Sequence, residues 1–102
     1  MIESSLADIA QALASRRISS VELTGIYLDR IARINPQLNA FITVHPDRSL
    51  AQARAADDRL ARGDAQALTG IPIAHKDIFC ASDWLTTCGS KMLSNFVSPY
   101  DA

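Results

Sequence analysis

The stretch 68-LTGIPIAHKDIFCASDWLTTCGSKML-93 decides how this chain is read. Ile71, Pro72, Ile73 and Ala74 form an apolar run that leads within two residues to Lys76 and Asp77, and a loop rich in Thr, Ser, Cys and Gly follows. The run reads as a short strand. Strand residues alternate faces, so Ile71, Ile73 and His75 share one side and Pro72, Ala74 and Lys76 the other. Small Ala74 leaves room beside Lys76, and Gly70 and Gly89 permit tight turns at either end. His75, in line with Ile71 and Ile73, reads as a core histidine with its hydrogen bonds met.

A lysine placed after an apolar strand is poorly positioned for solvation. Burial disfavours the ammonium and lowers the pKa from its usual ~10.4. A lysine tuned to about 7 to 8 serves as a general base. It then needs a hydroxyl to deprotonate and donors for a developing oxyanion. Thr86, Thr87, Ser90 and the Gly89 amide lie close in sequence. The competing role for Lys76 is structural, a side chain that extends its charged head into water, and spacing alone does not separate the two. Asp77 reads as a loop-forming hydrogen-bonding residue. An ionised carboxylate beside a base lysine would raise that lysine's pKa, so the Asp77 carboxylate is expected to point elsewhere. Cys80 and Cys88, with His75 and Asp77, do not have the ligand spacing of a zinc site.

The motif GIPIAHKD (residues 70–77), then TTCGSKMLSNF (86–96) and PYDA (99–102), resembles the amidase signature family. Within it the chain is most similar to the branch that serves tRNA-dependent amidotransferases. In this family the lysine of G-[IV]-P-[IV]-x-x-K-D is catalytic, and it matches Lys76. The resemblance implies a Ser–cis-Ser–Lys triad. Lys76 would act on the middle serine, which relays protons for a nucleophilic serine that attacks a carboxamide and forms an acyl-enzyme. Neither serine matches Ser82, Ser90, Ser94 or Ser98. Both are expected downstream of Ala102, so these 102 residues are expected to be an N-terminal fragment, inactive alone. His75 replaces the usual aliphatic residue, and Ile78, Phe79 and Trp84 fall at variable positions. These departures bear on the substrate more than on the chemistry.

Outward from this stretch, the N-terminal half reads as helical. Residues 5–15 carry an apolar stripe of Leu6, Ile9, Ala10 and Leu13, with Ser4 or Ser5 as cap, Asp8 in the first turn and Arg16 and Arg17 at the end. Residues 20–34 form the strongest helix signal. Ser19 and Glu22 have capping-box spacing, and Leu23, Tyr27, Ile31 and Ile34 make the apolar face. Asn35-Pro36 is expected to end it. Asn39–Val44 is β-branched and aromatic and reads as a strand. An alanine-rich helix follows from Pro46 or Asp47 to Arg62, with an Asp58–Arg62 pair and Gly63 as cap. Strand, helix and strand in succession read as a βαβ unit with parallel strands. After Lys76 come a loop, an extended piece near Leu85–Thr87 and a short helix near Ser90–Ser94.

The fold class expected is α/β, the N-terminal part of an amidase signature fold with helices on a small parallel or mixed sheet. Residues 1–38 form a helical hairpin, and 39–102 a strand-helix-strand-loop carrying Lys76. With 102 residues, 48% of them hydrophobic, the chain is at most one small domain with a modest core. A net charge of −1 provides no field for nucleic acid, so tRNA would be held by another subunit. Two cysteines suit a reducing cytoplasm, the N-terminus lacks the pattern of a secretory leader, and no apolar run approaches the ~20 residues of a spanning helix. Open sheet edges and an incomplete core predict self-association or partial disorder of the isolated chain.

The resemblance implies a glutamine-hydrolysing subunit that passes ammonia to a partner. Its donor would be glutamine, and two further subunits would complete the complex. Mischarged Glu-tRNA or Asp-tRNA would be the acceptor. ATP and Mg²⁺ are expected on the partner, and no cofactor or metal is expected in this chain. A free-standing amidase of small amides and a non-catalytic helical interaction module are the alternatives.

Overall fold

The computed structural model describes residues 2–102. The chain divides into two compact units, the first ending at Pro72 and the second spanning Ile73–Ala102.

Among its described residues the first unit has three α-helices: α1 (Leu6–Ala14), α2 (Ser20–Leu38) and α3 (Pro46–Arg62). Each starts on a capping side chain. Ser5 accepts from the Asp8 amide, and Ser19 and Glu22 form a reciprocal capping box. His45 Nδ1 accepts from the Arg48 amide, with Pro46 in the first turn of α3. Such caps satisfy amides that have no partner within a helix. α1 and α3 end alike. After α1, Arg16 adopts a left-handed conformation while Arg17 N–H reaches Ala12 C=O at 3.0 Å. After α3, Gly63 does the same and Asp64 N–H reaches Arg59 C=O at 2.9 Å. This back-bonding closes the last turn of each helix. Arg62 lies 4.0 Å from Asp64 rather than pairing with Asp58.

The helices bury one small cluster. Ile9 and Leu13 of α1 and Leu23 of α2 form its centre, and Ile18, Tyr27, Leu60 and Ile71 pack around them. Spacings of three and four residues place these side chains on one stripe of each helix. Leu6, expected on the α1 stripe, is instead exposed, and Ala12 is buried in that helix's inner face.

Two features of the first unit differ from expectation. α2 does not stop before Pro36 but runs through it to Leu38. Proline removes one hydrogen bond and disfavours helical geometry at the residue before it. Here that residue, Asn35, is held from outside the helix. Its side-chain oxygen accepts from the Phe41 amide at 2.8 Å, and its amide nitrogen donates to the Phe41 carbonyl at 3.0 Å. Left-handed Asn39 then closes the helix. The same contacts bear on the sheet. Neither 39–44 nor 71–74 forms a strand, and among the described residues no ladder is present. A strand exists through its partner's hydrogen bonds. Both backbone groups of Phe41 go to Asn35, and the Gly70 carbonyl takes the Ser20 hydroxyl at 2.8 Å. The βαβ unit is therefore not assembled within these residues.

In the second unit, the chain folds back on itself. Leu85 and Val97 form an antiparallel bridge. Around it, Thr86 N–H donates to Phe96 C=O at 2.9 Å, Ser98 N–H to Trp84 C=O at 3.1 Å, and Asp83 N–H to Ser98 C=O at 2.8 Å. A short 3-10 turn, Lys91–Leu93, is capped by Ser90, whose Oγ accepts from Met92 N–H. The C-terminal PYDA run closes this unit. Ser82 N–H donates to Asp101 Oδ1 at 2.6 Å, and Ala102 N–H to Cys80 C=O at 2.7 Å. No helix among the described residues is long and apolar enough to cross a membrane.

Candidate functional site around Lys76

Lys76 lies in the second unit, at the start of a turn in which Phe79 N–H donates to the Lys76 carbonyl at 3.1 Å. Its side chain is exposed, and among the described residues no carboxylate is within ion-pairing distance of it. His75 is not a core histidine. Its ring is exposed and stacks on Phe79, with centroids 5.7 Å apart and planes 16° from parallel. Ile73 is 81% exposed, so the face it was expected to share with His75 is open here.

Asp77 is the organising residue. Its carboxylate accepts from Thr87 N–H at 2.8 Å, from the Thr87 hydroxyl and from Gly89 N–H at 3.3 Å. Its backbone carbonyl accepts from Cys88 N–H at 3.0 Å. Cys88 and Gly89 both adopt positive φ, 52° and 70°, which turns these amides back towards Asp77. Hydrogen bonds to a carboxylate favour its ionised form. The Thr87 hydroxyl and the Thr87 amide accordingly hold the Asp77 pKa below the ordinary carboxylate value, against a partial opposing effect of burial. The carboxylate thus turns to the Thr-Cys-Gly turn and makes no ion pair with the lysine.

This arrangement assigns the other candidates. The Thr87 hydroxyl and Gly89 amide, two of the groups considered for deprotonation or oxyanion binding, are committed to Asp77. Thr86 is buried and donates to Trp84 C=O at 3.4 Å, and Ser90 caps the 3-10 turn. Cys80 and Cys88 are free thiols. Cys80 stands beside Tyr100 and raises the phenol's pKa, first through a side-chain hydrogen bond and then through charge repulsion. Among the described residues, no three His, Cys, Asp or Glu side chains come together so as to hold a metal ion.

Two grooves flank α2. One, of about 460 Å³, is lined by Leu28, Ile31, Ala32, Pro36, Val44 and Pro46 among others, and the second, of about 290 Å³, by Tyr27, Ile34, Leu38 and Phe41 among others. Neither is lined by a carboxylate, histidine or cysteine.

The family model described as Amidase matches residues 22–102. Over all 102 residues the chain is 67% identical to the A subunit of the glutamyl-tRNA(Gln) amidotransferase of Methylobacillus flagellatus. It is 64% identical to the subunit of that name from Dechloromonas aromatica and 59% to that of Chromobacterium violaceum. Each match covers the whole chain and 21% of the relative, so the chain spans about a fifth of the length of these curated relatives. Among solved structures, a chain from a vestigial protein complex bearing on the evolutionary origins of an s-triazine catabolic enzyme superposes with a TM-score of 0.88. It is 31% identical, and the match covers 97% of this chain and 22% of that one.

Proposed function

This chain belongs to the amidase family, and from that premise we propose that it is part of the glutamine-hydrolysing subunit of a tRNA-dependent amidotransferase. The observation that carries the reading is the identity of 59% to 67%, over every residue of the chain, to subunits of that name in three organisms. The enzyme would release ammonia from glutamine and deliver it to a partner subunit that converts Glu-tRNA(Gln) or Asp-tRNA(Asn) to its amide. Two partner subunits would make a cytoplasmic heterotrimer acting in protein biosynthesis. ATP and Mg²⁺ would serve the partner.

Lys76 would be the base of the Ser–cis-Ser–Lys triad. It would take a proton from the middle serine as the nucleophile attacks the carboxamide carbon, and return it towards the departing ammonia. Two features of the second unit support this role. The motif around Lys76 has the family's form, and the neighbouring carboxylate is spent on Thr87 and Gly89, so that among the described residues the lysine has no ion-pair partner. The exposure of Lys76 in this chain means that the desolvation a base requires would come from other parts of the enzyme, whose relatives are about five times as long. In that setting the segments 39–44 and 71–74 would pair into the sheet of an α/β fold.

The test is ammonia release from glutamine by the full-length enzyme assembled with its partners. Glutamine-dependent amidation of mischarged tRNA that is lost when this subunit is omitted would support the reading. Hydrolysis of small amides with no dependence on partners or tRNA would replace it with a free-standing amidase.

A further inference from the structure

We infer that Asp77 is a positioning residue for Lys76, acting through its triple hydrogen bond to the Thr87–Gly89 turn. The inference rests on the reading of Lys76 as the base. A lysine side chain has four rotatable bonds and is held only weakly by its own contacts, so a lysine that must meet a hydroxyl needs a fixed backbone beneath it. Here the backbone is fixed on both sides. Following Lys76, four hydrogen bonds tie Asp77 to residues 87–89: Thr87 N–H, the Thr87 hydroxyl and Gly89 N–H on its carboxylate, and Cys88 N–H on its carbonyl. Preceding it, His75 stacks on Phe79 across the turn that the Lys76 carbonyl closes.

Thr87 is the informative partner because it donates twice, through its amide and its hydroxyl, and is itself buried. The hydroxyl is spent on holding a carboxylate and is not free to meet a substrate. The carboxylate in turn is not free to meet the lysine. Loss of the hydroxyl would slacken the turn and free the carboxylate to pair with the ammonium of the adjacent residue, Lys76. Both effects act on the reacting group without any contact between Asp77 or Thr87 and the substrate. A small misplacement of a reacting group costs up to about 100-fold in rate.

The experiment uses the full-length assembled enzyme and compares Thr87→Val, Thr87→Ser, Asp77→Asn and Lys76→Arg. Valine matches threonine in shape and lacks only the hydroxyl; serine keeps the hydroxyl. The expected result is a fall in glutaminase kcat of about 10- to 100-fold for Thr87→Val and Asp77→Asn. KM for glutamine should stay within about threefold and Thr87→Ser should retain most of the activity. The Asp77→Asn/Thr87→Val double variant should be no worse than the poorer single one, because both break one unit. A loss confined to KM, equal losses for Thr87→Ser and Thr87→Val, or a lowered Tm with unchanged kcat would overturn it. So would failure of Thr87→Val to assemble, which would assign the contact to folding. Lys76→Arg separates the two readings. An active Lys76→Arg enzyme removes the base itself, whereas an inactive one beside a fully active Thr87→Val enzyme removes only the positioning role of Asp77.

Discussion

The Asp57 carboxylate of α3 caps α2, taking Ser20 N–H at 2.6 Å on one oxygen and Val21 N–H at 3.1 Å on the other. These are amides of the first turn, which have no acceptor inside their own helix. The local capping box at Ser19 and Glu22 serves two further amides, so the start of α2 is closed partly by its own sequence and partly by a helix 36 residues away. Removing an acceptor from a buried donor costs about 1 to 3 kcal/mol, and these two bonds are partly buried. Asp57→Ala should destabilise the chain by that amount, and Asp57→Asn, which keeps one acceptor oxygen, by about half. Urea unfolding should show this as a lower midpoint with an unchanged slope. A shift of a few tenths of a kcal/mol, as at an exposed site, would contradict the finding.

Asp57 also shows what could be read from sequence. Ala53, Asp57 and Leu60 stand at i, i+4 and i+7, so a carboxylate sits on the inward stripe of α3. That position is a signal of a partnered, half-buried charge, but the partner is set by the packing of α3 on α2, which no local pattern carries. The helices and their caps were legible because Ser5, Ser19–Glu22 and Gly63 act within one turn. The strands were not, since Asn39–Val44 has strand composition and yet its backbone groups find a side chain, Asn35, before any second strand. The motif singled out Lys76 as the candidate base. It did not reveal Asp77's partners, because those bonds span ten to twelve residues of irregular chain.

Gly70 and Gly25 make a paired test of backbone freedom. Gly70 has φ +88°, and a Cβ there would sit 3.3 Å from Ser20 Cβ and 3.4 Å from Leu60 Cδ1. The conformation alone costs a side chain about 1 to 2 kcal/mol, and the crowded site adds to it. Gly70→Ala should therefore destabilise by about 1 to 3 kcal/mol. Gly25 lies inside α2 with nothing within 4 Å of the place a methyl group would take, so Gly25→Ala should stabilise by about 0.5 to 1 kcal/mol. Thermal unfolding of the two variants should move Tm in opposite directions.

Acid should loosen the second unit through Asp77. Its pKa is lower in the folded chain than the ordinary carboxylate value, so the folded state binds this proton less readily than the unfolded state does. The contribution is fully present above the unfolded pKa of ~3.9 and is lost as pH falls through the lower folded value. Wild type should lose stability faster than Asp77→Asn on descending from about pH 5 to 2. Parallel stability curves for the two proteins across this range would refute it.

The second unit exposes much apolar surface. Ile73 is 81% and Met92 95% exposed, with Ile78, Val97 and Tyr100 each more than half exposed. Apolar surface of this kind drives association. The isolated 102-residue chain should sediment with concentration-dependent mass, and the Ile73→Lys/Met92→Lys variant should shift towards monomer. A wild-type chain that stays monomeric at high concentration would exclude this behaviour.

The role of Lys76 is decided by arginine. If Lys76 is the base, it must give up and regain a proton. Arginine remains charged throughout and cannot do so, although it keeps the charge and most of the reach. Lys76→Arg should therefore lose glutaminase turnover nearly as completely as Lys76→Ala, by several orders of magnitude, because members of a catalytic unit fail together. If Lys76 only carries its charge into water, arginine should be almost harmless and alanine should cost a little stability. The comparison is informative because nothing else in the second unit depends on the ammonium. Asp77 is held by Thr87 and Gly89, and among the described residues no ion pair involves Lys76. Both variants should accordingly assemble with their partners. Retention of more than about a tenth of wild-type turnover by the assembled Lys76→Arg enzyme, a loss under ~1.4 kcal/mol in barrier height, would exclude lysine as the base.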